Sequence, residues 1–304
     1  MVVILKYRRV EADFRSSFFI LWLNLGVTDL CHATSFWLSA KLPLMGFLPE
    51  LYLSASRSSA KAIMYFVFAT HFNQVLGIGL ITLNRLTALI IPTKSETIWS
   101  NKLLIIALLV MCWLISLIMA APILFMDMRW ELLTNQSKVA FHFLSHQLAA
   151  NYMFAIGVLL AVVATVIVAV YGFMFYTVRK MSVTQISAMK TQINLALCAF
   201  LVATFLALLS ISFSFFSLYK HDLLWGDNAI FFFIFCDLNS FSNGYLLLVT
   251  SFNVRVRLGK FVIYYFCCWK QNLKSTSVYH LQMKPIGHNE SLLKSSTTHS
   301  PLCI

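Results

Sequence analysis

Six long apolar stretches divide this chain: Phe18–Ser39, Ala62–Leu83, Leu103–Phe125, Tyr152–Tyr176, Ile193–Leu218 and Ala229–Thr250. A helix crosses a hydrocarbon core of about 30 Å with roughly 20 residues, so each stretch is long enough to span a bilayer. In that core no water is at hand to bond the backbone, which forces each stretch to be helical. Composition points the same way. Hydrophobic residues make up 60% of the 304 and charged ones 11%, whereas a soluble domain runs at roughly 45–50% and about 25%. A water-exposed globule this poor in charge would present large apolar patches. The expected fold is an all-α membrane protein. Its helix bundle covers residues 1–270, closing with a juxtamembrane amphipathic segment at 253–270, and 271–304 form a disordered cytoplasmic tail.

The formal net charge of +12 does not mark a nucleic-acid binder, because Lys and Arg sit in short clusters between apolar runs. Such clustering follows the positive-inside rule. With 1–17, 84–102, 177–192 and everything after 250 placed inside, 17 of the 23 Lys and Arg are cytoplasmic. The six outside are Lys41, Arg57, Lys61, Arg129, Lys138 and Lys220. Asn135-Gln136-Ser137 is then a glycosylation sequon in an outer loop,. None of the seven cysteines falls in a stretch placed outside, so no disulfide framework is expected,.

The start has its own pattern. Met1–Leu5 is apolar and short, and Lys6-Tyr7-Arg8-Arg9 follows at once. It reads as the last turn of a helix whose beginning is missing, although a six-helix chain starting near apolar residues would read the same way.

Ionisable groups inside a spanning helix are costly and face the bundle interior by default. Asp29 and His32 sit three apart on one helical face, and Asp237 lies in the last span with Asn239 close by,. They are expected to form an intramembrane polar cluster, either as a switch between packings or as plain packing contacts. Towards the outer half, Trp37, Tyr65, Phe68, His71, Phe72, Tyr152 and Phe216 supply an aromatic lining for a small, partly apolar ligand,. Aromatic residues at helical spacing equally serve packing or lipid contact. His71 is the strongest of these candidates, being ionisable and well below the outer end. His142 and His146, four apart, would share a metal if helical, but no further His box or supporting Glu accompanies them. No metal, no cofactor and no enzymatic chemistry is expected.

The most informative segment is Asn84-Arg85-Leu86-Thr87-Ala88-Leu89-Ile90-Ile91-Pro92-Thr93-Lys94-Ser95-Glu96-Thr97-Ile98-Trp99. Arg85 falls where an apolar helix meets the cytoplasm, so its guanidinium can reach water or a partner inserted between helix ends. Pro92 limits how far the helix continues, and Trp99 is placed to anchor the next span at the interface. This spacing resembles the segment after the third helix of nematode serpentine chemoreceptors, in the class gamma group and its relatives including class V. Phe14-Arg15-Ser16-Ser17-Phe18 leading into Gly26 and Asp29-Leu30 resembles the family's second helix. Leu246-Leu247-Leu248, Ser251, Arg255 and Arg257 fall in order near its last one.

The resemblance implies a seven-transmembrane receptor-type bundle, with six complete spans here, acting as a G protein-coupled receptor for environmental chemicals or pheromones on sensory-neuron cilia. A small-molecule ligand, a heterotrimeric G protein and the lipid bilayer are the expected partners. The G protein would meet a basic rim of Asn84, Arg85, Arg179, Lys180 and Arg255. Asn84 stands where rhodopsin-like receptors carry an acid, and no cysteine pair is placed for their outer disulfide. Cys267 and Cys268 beside Trp269 suit palmitoylation, or remain two plain thiols. The competing class is a transporter or channel, which would show an internal repeat and interrupted helices at the midplane. Only Gly77-Ile78-Gly79 and Pro122 hint at interruption.

Overall fold

The computed structural model describes residues 17–132 and 138–180, together with isolated helical positions at 200, 201, 204, 208, 234, 236–238, 240, 255, 256 and 258–260. The expected spans 193–218 and 229–250 and the segment 253–270 therefore fall mostly outside the described residues. The start at 1–16 and the tail at 271–304 fall wholly outside them. Chain contacts separate Met1–Arg257 from Leu258–Ile304. Within the first unit the chain forms α1 (Ser17–Phe36), a π-turn (Trp37–Lys41), a short turn of helix (Leu42–Leu44), α2 (Pro49–Ser54), α3 (Arg57–Ile90) and α4 (Pro92–Ser100). There follow α5 (Lys102–Ala120), a 3-10 turn (Ala121–Phe125), strands β1 (Met128–Leu132) and β2 (Val139–Phe143), and α6 (His146–Arg179).

Local chemistry sets the ends. Ser56 caps α3, its hydroxyl accepting from the Ser59 amide at 3.2 Å. Asn101 caps α5 by accepting from the amides of Leu103 and Leu104 at 3.0 and 3.2 Å. Both side chains satisfy amides that a helix start leaves without an intrahelical partner. α3 stops at Ile90, since Ile91 leaves the helical region (φ −132°) ahead of Pro92, as a residue before proline tends to. Trp99 does not sit as an interfacial anchor. It is buried, and its indole N–H donates to the Thr87 hydroxyl at 2.8 Å, folding α4 back onto α3.

Among the described residues, three helices are long and apolar enough to cross a membrane: Arg57–Ile90, Lys102–Phe125 and Gln147–Arg179. Their burial differs sharply. In α3, 78% of the apolar window is covered by the rest of the chain, against 17% and 33% in the other two. α3 is therefore the central post, packed by α1, α4, α5, α6 and β1, while α5 and α6 turn most of their apolar side chains outward. Leu103, Ile106, Val110, Leu114 and Ile118 on α5 are all exposed, as suits a lipid-facing surface.

α1 approaches α3 closely at Gly77, where a Cβ would lie 3.1 Å from the Leu25 side chain. Gly79, two residues on, faces open space. The loop between α5 and α6 holds a hairpin, β1 pairing antiparallel with β2 from Met128↔Phe143 to Leu132↔Val139. It is held down by Trp130, whose ring centroid lies 5.0 Å from those of Tyr52 and Phe141. The Tyr52 hydroxyl donates to the Leu38 carbonyl at 2.7 Å, and burial raises this phenol's pKa. His142 lies in β2 and His146 opens α6, so the two histidines do not share a helix face as their spacing allowed.

Gly77→Val is expected to destabilise the chain by about 1–3 kcal/mol through overpacking against Leu25. Gly79→Val should cost distinctly less, as read from melting of the purified chain in detergent.

Candidate functional site

Two regions of α3 gather the residues singled out in the sequence, one in its N-terminal half, expected to be outer, and one near its C-terminal end, expected to be inner. They are joined by a seam of side-chain hydrogen bonds to α1. Asn73 donates to the Thr28 hydroxyl at 2.8 Å. Gln74 donates to the Asp29 carboxylate at 2.8 Å and to the Ser240 hydroxyl at 3.3 Å. All five side chains are buried. Asp29 thus reaches Ser240, in the expected last span, through the Gln74 amide. Asp237 and His32, placed in the same cluster from sequence, find other partners, and Asn239 lies outside the described residues.

One turn further out, His32 Nδ1 lies 3.2 Å from the Val67 carbonyl and 3.3 Å from the Thr70 hydroxyl. Its ring stacks on Phe36 (centroids 5.8 Å, planes 10° apart) and stands 5.4 Å from the His71 ring. His71 is 3% exposed, tilted against Phe72. Phe68 meets Tyr152 at 6.0 Å. The two tyrosine hydroxyls are already engaged: Tyr65 donates to the Leu117 carbonyl at 3.2 Å and Tyr152 to the Met119 carbonyl at 2.8 Å. These carbonyls belong to the last turn of α5. Tyr65 and Tyr152 therefore present ring faces, and their polar ends close off α5. Phe216 lies outside the described residues. Among the described residues no group of three His, Cys, Asp or Glu could hold a metal.

Beyond Phe36 the π-turn brings in a residue that sequence reasoning had assigned to the outer flank. Lys41 is buried and pairs with Asp237 of the last span. Its ammonium also lies 4.5 Å from the Trp37 ring centroid and 5.8 Å from that of Phe36. Trp37 itself is 38% exposed.

At the inner end Arg85 does not reach water. It is 5% exposed, and its guanidinium lies 3.4 Å from the centroid of Phe18. Asn84 donates to the Ser17 hydroxyl at 3.3 Å, and the Thr82 and Tyr171 hydroxyls meet at 3.1 Å. An arginine preceded by an asparagine has no carboxylate on its own turn to pair with. Here an aromatic face on the neighbouring helix covers it, a cation–π contact worth about 2 kcal/mol where desolvated. Arg179 and Lys180, at the end of α6, are exposed, with Lys180 over the Tyr176 ring at 4.4 Å. Arg255 is also exposed. Asn135, Cys267 and Cys268 lie outside the described residues.

A long buried α3, a hydrogen-bonded seam to its neighbour and three helices apolar and long enough to cross a membrane define a helical membrane protein. The chain belongs to the family described as serpentine type 7TM GPCR chemoreceptor Srv, whose model matches residues 1–262. Of the two groups named by the resemblance, this is class V. The chain is also similar to Serpentine receptor class V-1 of Caenorhabditis elegans, at 26% identity over 202 residues. That stretch is 66% of this chain and 65% of the relative's length, just under two thirds of it. The family is one of multi-pass chemoreceptors rather than enzymes.

A double-mutant cycle between Asp29→Leu and Gln74→Leu is expected to give a coupling of about 1 kcal/mol, the usual order for hydrogen bonds between membrane helices. The same cycle between Asp29 and Gly79→Val should give none, both read from detergent melting curves.

Proposed function

We propose that this chain is a chemosensory G protein-coupled receptor. It detects a small environmental molecule or pheromone at its outer half and signals to a heterotrimeric G protein at its inner end. In this reading six spans of the family's seven-helix bundle lie between residues 18 and 250. The receptor works in the plasma membrane of sensory-neuron cilia, with Asn135 glycosylated outside and Cys267 and Cys268 palmitoylated inside. Ligand contacts come from His71, Tyr65, Phe68, Phe72, Trp37, Tyr152 and Phe216. The G protein meets Asn84, Arg85, Arg179, Lys180 and Arg255. The cluster of Asp29, His32, Asp237 and Asn239 biases the packing between the two ends.

The observation that carries this reading is the position of Arg85, buried under Phe18 on the helix that also bears His71. A ligand shifts an equilibrium only by its differential affinity for the two packings. A desolvated cation–π contact is worth about 2 kcal/mol, so releasing Arg85 from Phe18 calls for a ligand that prefers the released packing by at least about 30-fold.

Phe18→Ala is therefore expected to raise ligand-independent nucleotide exchange on a co-expressed G protein several-fold, and Arg85→Ala to abolish it. An unchanged basal rate in Phe18→Ala, or normal signalling by Arg85→Ala, would remove the proposed coupling role. Topology has its own test. A glycosidase-sensitive mobility shift that Asn135→Gln abolishes is expected, and an inside location of the β1–β2 loop by tag accessibility would sink the receptor reading.

A further inference from the structure

Between α1 and α3 the chain makes a turn whose backbone is well bonded and whose apolar side chains face away from the protein. Gly46 (φ 75°) ends the Leu42–Leu44 turn of helix, its amide donating to the Pro43 carbonyl and that of Phe47 to the Leu42 carbonyl, both at 3.0 Å. A left-handed helix stop of this kind commonly folds the next apolar residue back onto the helix. Phe47 instead is 62% exposed. Leu48 follows in the left-handed region (φ 50°, ψ 52°), a strained conformation for a bulky residue, and it too is exposed, at 61%. α2 then runs from Pro49 to Ser54 with none of its residues buried. A helix this short has little stability of its own in water. Tyr52 ties it to the rest of the chain, through the Leu38 carbonyl and the Trp130 ring.

We propose that Met45–Leu53 is a lipid-inserted segment, with Met45, Phe47, Leu48, Leu51 and Leu53 lying in the interfacial layer of the bilayer, where headgroups meet acyl chains. Single exposed apolar side chains call for no explanation, but a contiguous set marks a contact surface. Three observations choose lipid as what covers this one. The set continues a run of exposed apolar residues on the expected first span and its π-turn: Val27, Leu30, Trp37 and Leu38. The Tyr52 bond fixes α2 beside the Leu38 end of that run. From Leu42 to Ser56 the one charged residue is Glu50, so the patch lacks the polar rim that surrounds a protein–protein contact. Trp37, partly exposed between the two sets, stands where aromatic residues gather at a membrane's edge. Lipid contact at Phe47 and Leu48 offsets the strain that the backbone carries to present them. Through Tyr52 and Trp130 the segment would also set the height of the hairpin relative to the bilayer. The placement needs only a bilayer around the helices and is independent of the receptor reading.

The test is light-activated diazirine labelling of the full chain in phosphatidylcholine vesicles, with adducts mapped by peptide mass spectrometry. Three probes are compared: a water-soluble diazirine supplied on both sides, a lipid with the diazirine beside its headgroup, and a lipid with it at the acyl-chain end. Val110 on α5 is the standard for deep lipid, and the exposed Leu132 on β1 the standard for water. Met45–Leu53 is expected to take the headgroup-level label several-fold more than Leu132 does, and the water label several-fold less. Labelling chiefly from water, as at Leu132, would overturn the proposal. So would labelling from the acyl-end probe to the extent of Val110, which puts the segment in the hydrocarbon core. Protection from all three probes would overturn it as well: a second copy covers the face if the protection fades on dilution into more lipid, and the chain itself does if it persists.

Discussion

Asn73 and Gln74 stand near the middle of a 34-residue helix, with side-chain amides that have no water to turn to. Their amide nitrogens donate to Thr28, Asp29 and Ser240, and in doing so fix how α1 lies along α3. The register of this pair decides the rest. It brings Gly77 opposite Leu25, sets His32 beside His71 on the outer side, and puts Phe18 over Arg85 on the inner side. In water an amide pair of this kind would contribute little to specificity. In lipid the alternative to a protein partner is an unsatisfied polar group, so the pairing selects one packing among several of similar apolar contact.

From this arrangement the two ends acquire different kinds of polar contact. The outer end carries a charged pair, Lys41 with Asp237, whose anion is the exposed half. The inner end carries a buried cation with an aromatic ring over it. α3 passes through both, so a change in how α1 or the last span sits against it is felt at each. The lipid-facing helices α5 and α6 take less part. Among the described residues their polar ties include the Tyr65 and Tyr152 hydroxyls on the α5 carbonyls and the Thr82–Tyr171 contact.

The helical, membrane-embedded character of the chain was legible because length and apolarity alone force it, and the Asn84–Trp99 spacing led to the family. Side-chain partners were harder. Asn73 and Gln74 carry no charge to mark them in the sequence, although two adjacent amides inside an apolar span demand partners as ionisable groups do,. Lys41 was read as an outer flank. Its spacing of four from Trp37 offered a hint of a ring contact, but its partner lies 196 residues away in sequence, where no local pattern points. Arg85 was expected at the water interface because a helix end usually lets arginine reach it. What turned it inward is Phe18, on a different helix. Trp99 follows the same logic: an interfacial residue by composition, a buried one because Thr87 offers its hydroxyl.

The burial of Arg85 can be measured without knowing any ligand, by labelling the native chain in membranes open to both faces with an arginine-specific dicarbonyl and mapping the adducts by peptide mass spectrometry. Arg57 and Arg179, both exposed, serve as internal standards. Arg85 should react far more slowly than either, and Phe18→Ala should bring it up to their rate. Labelling of Arg85 as fast as Arg179 in the unmodified chain would contradict the account, because the arginine would then be open at rest and Phe18 would hold nothing closed.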